Sequence, residues 1–408
     1  MKTDIHAEDS RLAQIRVGFL PLTDCAPIAV ACKLGLDRMY GLALQPLRQP
    51  SWTALRDRLL AGQLDAAHAL YGLACGVQLG LGGPQCDMAL LMTLNRNGQG
   101  ISLSPSLAAQ WRDGAGLAEI ARRLGRPLRL AHTFPTGTHA MWLHYWLAAQ
   151  DVHPLRDARC VVIPPPQMAA AMLTGALDGY CAGQPWHAVT EEQGCASLVA
   201  DSAAIWPDHP EKALICRADL AERQPQLASA LIETLLLACH WLDQPDNQEQ
   251  AAAWLAEDAW LGLPAETILR HWRAHPLQAA PLRFFDDGRV NPPASADVLW
   301  FLGQYRRWGI WDGAGDADIA RALCRTGLYR QARRVAAWRA GSGRRRCGAD
   351  GRPALAATGW DAAQDRCGFS RSALMQCSMG GEAFRKQACG AARDLRIGRR
   401  TAKRRAAG

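Results

Sequence analysis

The sequence predicts an α/β protein made of two related lobes. Three observations carry this. Strand-like and helix-like apolar patterns alternate over residues 15–70, the pattern returns 113 residues later, and residues 331–408 differ in charge and composition from all that precedes them.

Ile15–Leu20 is a short apolar run of strand type. Ala26–Met39 carries apolar residues at helical spacing, Leu42–Leu47 returns to a strand pattern, Ser51–Ala61 is helical, and Asp65–Leu70 is another strand. This βαβαβ order predicts a mainly parallel sheet with helices on both faces, since parallel strands need a crossover long enough to hold a helix. A shift of 113 places Leu128–Thr133 (LRLAHT) on Ile15–Leu20 (IRVGFL), and Leu173–Asp178 (LTGALD) on Leu60–Asp65 (LAGQLD). Two gapless matches at one offset mark an internal duplication. Residues 218–330 read mostly as helix. Leu220–Asp243 is long and amphipathic, Trp300–Trp308 is rich in aromatic residues, and Asp286-Asp287-Gly288 and Asn291-Pro292-Pro293 carry turn chemistry. The expected divisions are 15–104 for the first part of lobe 1, 105–212 for lobe 2, 213–330 for the completion of lobe 1 and its C-terminal helices, and 331–408 for a basic, disordered tail.

Composition narrows the function classes. Hydrophobic residues at 49% and charged residues at 21% allow a sizeable core. The net charge of +8 comes from the tail: residues 331–408 hold 18 Lys and Arg against 5 Asp and Glu, whereas residues 1–330 hold 28 against 33. Runs such as GSGRRR (341–346) and RRTAKRR (399–405) suit either an RNA-binding arm or an extension without function. The tail's four Cys and two Trp favour the extension, because such arms have a strongly biased composition. The 14 cysteines contain no Cys-x-x-Cys pair and read as free thiols, with no zinc site or cofactor expected. The opening Met1–Gln14 is polar, and no run of about 18 apolar residues occurs, so a cytoplasmic chain without a membrane span is expected. No Gly-x-Gly-x-x-Gly fingerprint, Walker loop or Gly-x-Ser-x-Gly elbow points to an enzyme.

Two lobes of this kind bind ligands between them, where helix N-termini at the carboxyl ends of the strands favour small anions. The repeat sets Pro21–Ala26 against Phe134–His139, and Pro50–Thr53, with Ser51 as a helix cap, against Ile163–Pro166. Trp52 then lies opposite Pro165, and Ala26 opposite His139. Lys212 is the sole lysine between positions 34 and 385 in a chain with 41 Arg and 5 Lys, which suits a site needing a compact ammonium.

Seven segments in order resemble the nitrate-binding proteins of nitrate transport systems and their cytoplasmic sensor relatives. They are GFLPLTDCAPIAVA (18–31), SWTALRDRLLAGQLDAAHAL (51–70), LNRNGQGISLS (94–104), FPTGTHAMWLHYWLAA (134–149), VVIPPPQMAAAM (161–172), CAGQPWHA (181–188) and IWPDHPEKAL (205–214). The resemblance covers residues 15–329. It implies a two-lobed fold like that of type II periplasmic binding proteins, and a pocket for nitrate or nitrite lined by Trp52, Gln99, His139, Pro165 and Lys212. Nitrate is a planar anion with three acceptor oxygens, so an indole N–H, amide and imidazole donors and a compensating ammonium suit it. The family pattern Glu-Pro-Trp-Asn departs here to Gln184-Pro185-Trp186-His187, which removes a carboxylate from the cleft and leaves nitrate against nitrite open. Asp24, near a helix start, is expected to cap it.

By the same resemblance the chain is a sensor. Nitrate closes the lobes and releases an RNA-binding antiterminator that promotes read-through of nitrate-assimilation transcripts. The alternative is the substrate-binding component of a nitrate ABC transporter. On either reading Lys212→Ala should abolish anion binding with the fold intact, and removal of 331–408 should leave binding unchanged.

Overall fold

The computed structural model describes residues 12–272 and 280–343. Among the described residues ten strands form two five-stranded sheets. Strands β1 (Ala13–Phe19), β2 (Leu42–Arg48), β3 (Ala66–Leu70) and β4 (Met88–Arg96) belong to the first lobe. Strands β5 (Gln99–Leu103), β6 (Leu128–His132), β7 (Ala158–Val162), β8 (Gly179–Gly183) and β9 (Ser197–Asp201) form the second, and β10 (Pro210–Arg217) returns to the first. The orders are β2-β1-β3-β10-β4 and β7-β6-β8-β5-β9. The three leading strands of each sheet run parallel, as the βαβαβ pattern predicts. The fourth, β10 in one sheet and β5 in the other, runs antiparallel to its neighbours. Both sheets are therefore mixed. The chain crosses between lobes at β4–β5 and again at β9–β10, and each crossing strand enters beside the third parallel strand.

The duplication is legible in hydrogen bonds. In the first lobe the backbone N–H of Arg16 donates to Asp65 Oδ2 at 2.8 Å, and the Arg16 guanidinium donates to Asp65 and to the Gly62 carbonyl at 2.9 Å. In the second lobe Arg129 N–H donates to Asp178 Oδ2 at 2.8 Å, and its guanidinium donates to Asp178 Oδ1 at 3.3 Å and to the Gly175 carbonyl at 2.8 Å. Each partner lies at the offset of 113. Gly62 and Gly175 both take positive φ (71° and 66°), which explains glycine in both copies.

Helices cover the sheets. The helix Ala26–Leu34 ends earlier than its spacing suggests, because Gly35 takes φ 64° and caps it; a short turn, Arg38–Tyr40, follows. The expected helix Leu220–Asp243 is two, Ala218–Arg223 and Pro225–Leu242, since Pro225 cannot continue the first and opens the second. The expected boundary at 331 falls inside the helix Thr326–Gly343, which packs on Pro225–Leu242 with Tyr329, Ala332 and Ala336 buried. A cut at 331 would remove part of that packing, so a neutral truncation should begin after 343. The remainder of the tail, and residues 273–279, lie outside the described residues. Among the described residues no helix is long and apolar enough to cross a membrane.

The helix Ser295–Arg307 ties the lobes together. Tyr305 Oη stands 2.7 Å from both the carbonyl of Gly72, in the first lobe, and that of Thr136, in the second, and its single proton is shared between them. Trp300 joins Trp142 and Trp206 in an aromatic cluster on the second lobe.

Candidate functional site

The loops after β1 and β8 meet between the lobes. Thr23 N–H donates to the Gln184 carbonyl at 2.9 Å, and Trp186 Nε1 donates to the Pro21 carbonyl at 3.0 Å. At this junction lies a charged network closed off from solvent. Lys212 Nζ donates to Asp24 Oδ2 at 2.7 Å and to Glu211 Oε1, and it stands 5.7 Å from the centre of the Trp52 ring. The second oxygen of Asp24 is 2.8 Å from His68 Nε2. Across the junction, His139 Nε2 lies 3.4 Å from Glu211 Oε1, and His139 Nδ1 pairs with the Thr133 hydroxyl. Lys212, Glu211, His68, His139 and Trp52 are fully buried.

Local structure explains how these groups arrive. Ser51 caps the helix Trp52–Leu60 by accepting from Ala54 N–H at 3.1 Å, as its sequence position suggests, and this sets Trp52 in the first turn. His139 sits in the first turn of Thr138–Ala149. Consecutive strand residues normally point to opposite faces, but the β10–β4 register slips on both sides of Lys212, and this irregularity lets Glu211 and Lys212 reach each other. Gly183 leaves room at the centre: a Cβ there would lie 3.7 Å from both Asp24 Oδ2 and His139 Nε2. Gln99 is its direct partner across β5–β8.

The five residues implied by the motifs are thus not equally placed. Trp52, His139 and Lys212 join one network, and Gln99 stands beside it on the strand paired with Gly183. Pro165 is buried at the head of the turn Pro165–Gln167 after β7 and offers no donor. Three expectations change. Lys212 is not a free cation awaiting an anion, since two carboxylates already hold it. Asp24 makes no helix cap and is an ion partner instead. The carboxylate missing at Gln184 is outweighed by those of Asp24 and Glu211. His187 stacks on Tyr180, pairs with the Ser102 hydroxyl at 2.7 Å and reaches the Ala182 carbonyl at 2.9 Å.

Burial and ion pairing compete at the junction. Burial would raise the Asp24 carboxyl, but the Lys212 charge and His68 outweigh it and hold Asp24 below the usual range. It would lower the Lys212 ammonium, but Asp24 and Glu211 raise it. Burial, with Lys212 nearby, keeps His139 neutral, and burial pushes the Glu211 carboxyl up to about 7. Several polar atoms at the junction have no hydrogen-bond partner among the described residues: Trp52 Nε1, both side-chain atoms of Gln99, His139 Nε2 and Glu211 Oε2. Orphaned buried donors cost about 1–3 kcal/mol each, so a ligand accepting from them would favour the closed junction.

Two lobes with donors from both at a buried junction define a binding protein of the periplasmic-binding-protein fold. The chain belongs to the NMT1-like family, whose model matches residues 8–256. It is 35% identical over 342 residues to the nitrate/nitrite binding protein NrtA of Synechococcus elongatus, covering 78% of this chain and 77% of that protein. It is 32% identical over 328 residues to the bicarbonate transport ATP-binding protein CmpC of the same species, covering 78% of this chain and 49% of CmpC. The crystal structure of the periplasmic nitrate-binding protein NrtA from Synechocystis PCC 6803 superposes with a TM-score of 0.75 at 32% identity, over 79% of this chain and 89% of that one.

Proposed function

We propose that the chain binds nitrate or nitrite between its lobes and serves as the ligand-binding component of an ABC-type importer. The observation that carries the ligand class is the set of unpartnered buried donors, Trp52 Nε1 and Gln99 Nε2 with His139 Nε2, presented from both lobes. A small planar oxyanion has acceptors for all of them, and the Trp52 ring beside Lys212 offers an apolar face. Similarity to NrtA over most of its length supports this ligand. Similarity to CmpC makes bicarbonate the competitor to test.

The order of the two readings drawn from the motifs is reversed here. The relatives named above carry transport and binding names. Control of an antiterminator in the cytoplasm rests on the motif resemblance alone. Calorimetric titration with nitrate, nitrite, bicarbonate and sulfate tests the ligand. Saturable heat from nitrate or nitrite and none from sulfate is expected; no heat from either nitrogen oxyanion would refute the reading.

Closure has a second hold at the rim. Glu192, at the end of the helix Trp186–Glu192, accepts from Thr267 Oγ1 at 3.0 Å and pairs with Arg270 at 3.0 Å. Beside it Glu191 Oε2 lies 2.9 Å from His271 Nε2. Thr267, Arg270 and His271 follow the short helix Ala265–Leu269 or lie in it, on the first lobe's core. Half-exposed pairs of this kind contribute about 0–1 kcal/mol. Glu192→Gln should therefore weaken ligand binding by up to about fivefold, mostly through faster release. Added salt should reproduce part of that loss in the unmodified protein but not in the variant. Identical salt dependence in both, measured by stopped-flow fluorescence, would remove the rim from the closing reaction.

A further inference from the structure

Glu211 is not among the ligand residues that the motifs implied, yet it is fully buried at the junction. Its Oε1 accepts from Lys212 Nζ and stands 3.4 Å from His139 Nε2, while Oε2 has no hydrogen-bond partner among the described residues. The groups facing it are Lys212 beside it on β10, Asp24 after β1, Thr138 and His139 at the start of the helix Thr138–Ala149, and Cys181 on β8, with His68 on β3 behind Asp24.

The charges of this set do not balance. With both carboxylates ionised and the histidines neutral, one ammonium faces two anions, an excess of one negative charge in a closed site. A monoanion would make the excess two, and an uncompensated buried charge is not tolerated without rearrangement or proton transfer. Asp24 cannot take the proton cheaply, because Lys212 and His68 occupy both its oxygens. His139 has Nδ1 engaged with Thr133 and is held neutral by burial and by Lys212. Of the two carboxylates, only Glu211 keeps an oxygen, Oε2, with no ammonium or imidazole on it, and the Thr138 hydroxyl faces that carboxyl.

We propose that Glu211 is itself a ligand contact and receives a proton when the anion binds, so that the protein takes up one proton from solvent for each oxyanion. An O–H bond forms at Oε2 while the bond holding that proton in hydronium or the buffer acid breaks, and the new hydroxyl donates to an anion oxygen. The site's net charge is then the same before and after binding. The inference rests on the oxyanion reading above. Because burial sets the Glu211 carboxyl near 7, the uptake falls in the ordinary pH range. Below that the proton is already present in the empty site. Above it the proton must be acquired, and affinity falls as pH rises.

The test is calorimetric titration of the full chain with potassium nitrate in buffers of different ionisation enthalpy. Close to one proton taken up per nitrate is expected at about pH 8 and close to none at about pH 5.5, with affinity falling about tenfold per pH unit above about 7. Glu211→Gln, which keeps a neutral donor at that position, should bind without proton uptake and with a flat pH profile. A binding enthalpy independent of buffer at about pH 8 in the unmodified protein would overturn the proposal, whether or not the variant folds. Uptake persisting in Glu211→Gln would assign the proton to a histidine and also overturn it. No heat from nitrate or nitrite at any pH is a different failure, since it removes the oxyanion reading itself.

Discussion

Lys212→Ala should unfold at markedly lower denaturant than the unmodified protein, with a loss of about 3–5 kcal/mol, as expected when one partner of a buried ion pair is removed. The sequence alone suggested a variant that folds and merely fails to bind, and the geometry changes that expectation. Lys212 holds Asp24 and Glu211, both in a site without solvent access, and its removal leaves two carboxylates facing each other. Loss of binding in Lys212→Ala would therefore not separate a ligand contact from a collapsed site. Lys212→Met combined with Asp24→Asn removes one charge of each sign, so it should recover part of the stability while still failing to bind nitrate. Urea unfolding followed by tryptophan fluorescence checks both variants. A Lys212→Ala protein within about 1 kcal/mol of the original would show that the junction hydrates readily, and that the ion cluster contributes little to the fold.

Gly72→Ala is expected to cost affinity rather than stability. A Cβ at Gly72 would lie 2.3 Å from the Thr136 carbonyl oxygen of the other lobe, where the obstacle is backbone and cannot turn aside. The same carbonyls are joined by the Tyr305 hydroxyl. Overpacking of this kind costs about 1–3 kcal/mol. An open form escapes it, so the cost appears as nitrate binding weaker by about 5- to 150-fold, with little change in melting temperature. Earlier melting with unchanged affinity would place this contact in the hinge, which stays packed in both forms.

How far the sequence foretold these features depended on how local their causes were. β1, β2 and β3 are short apolar runs, and Ser51 caps its helix through a bond three residues away, so all were visible in the chain. The duplication was visible because Asp65 and Asp178 anchor equivalent turns in both lobes. The antiparallel strands were not, since the strands that β10 and β5 pair with, β3 and β4 for one and β8 and β9 for the other, lie far from them along the chain. Glu211 escaped notice because alternation puts the neighbour of an inward lysine on the opposite face, and only the irregular register around Lys212 brings both together. Asp24 looked like a cap because its ion partner lies 188 residues further on. The break before Pro225 was signalled by the proline itself, and amphipathic spacing on both sides obscured it.

The crossing of β10 into the first sheet bears on the order of assembly during synthesis. All five strands of the second sheet come from one uninterrupted stretch, Gln99 to Asp201. The first sheet leaves a gap between β3 and β4 until Pro210–Arg217 has emerged from the ribosome, so the half of the protein made first is completed last. A nascent chain stalled before that strand would carry a finished second lobe beside an open sheet edge, the kind of surface to which chaperones and aggregation partners attach.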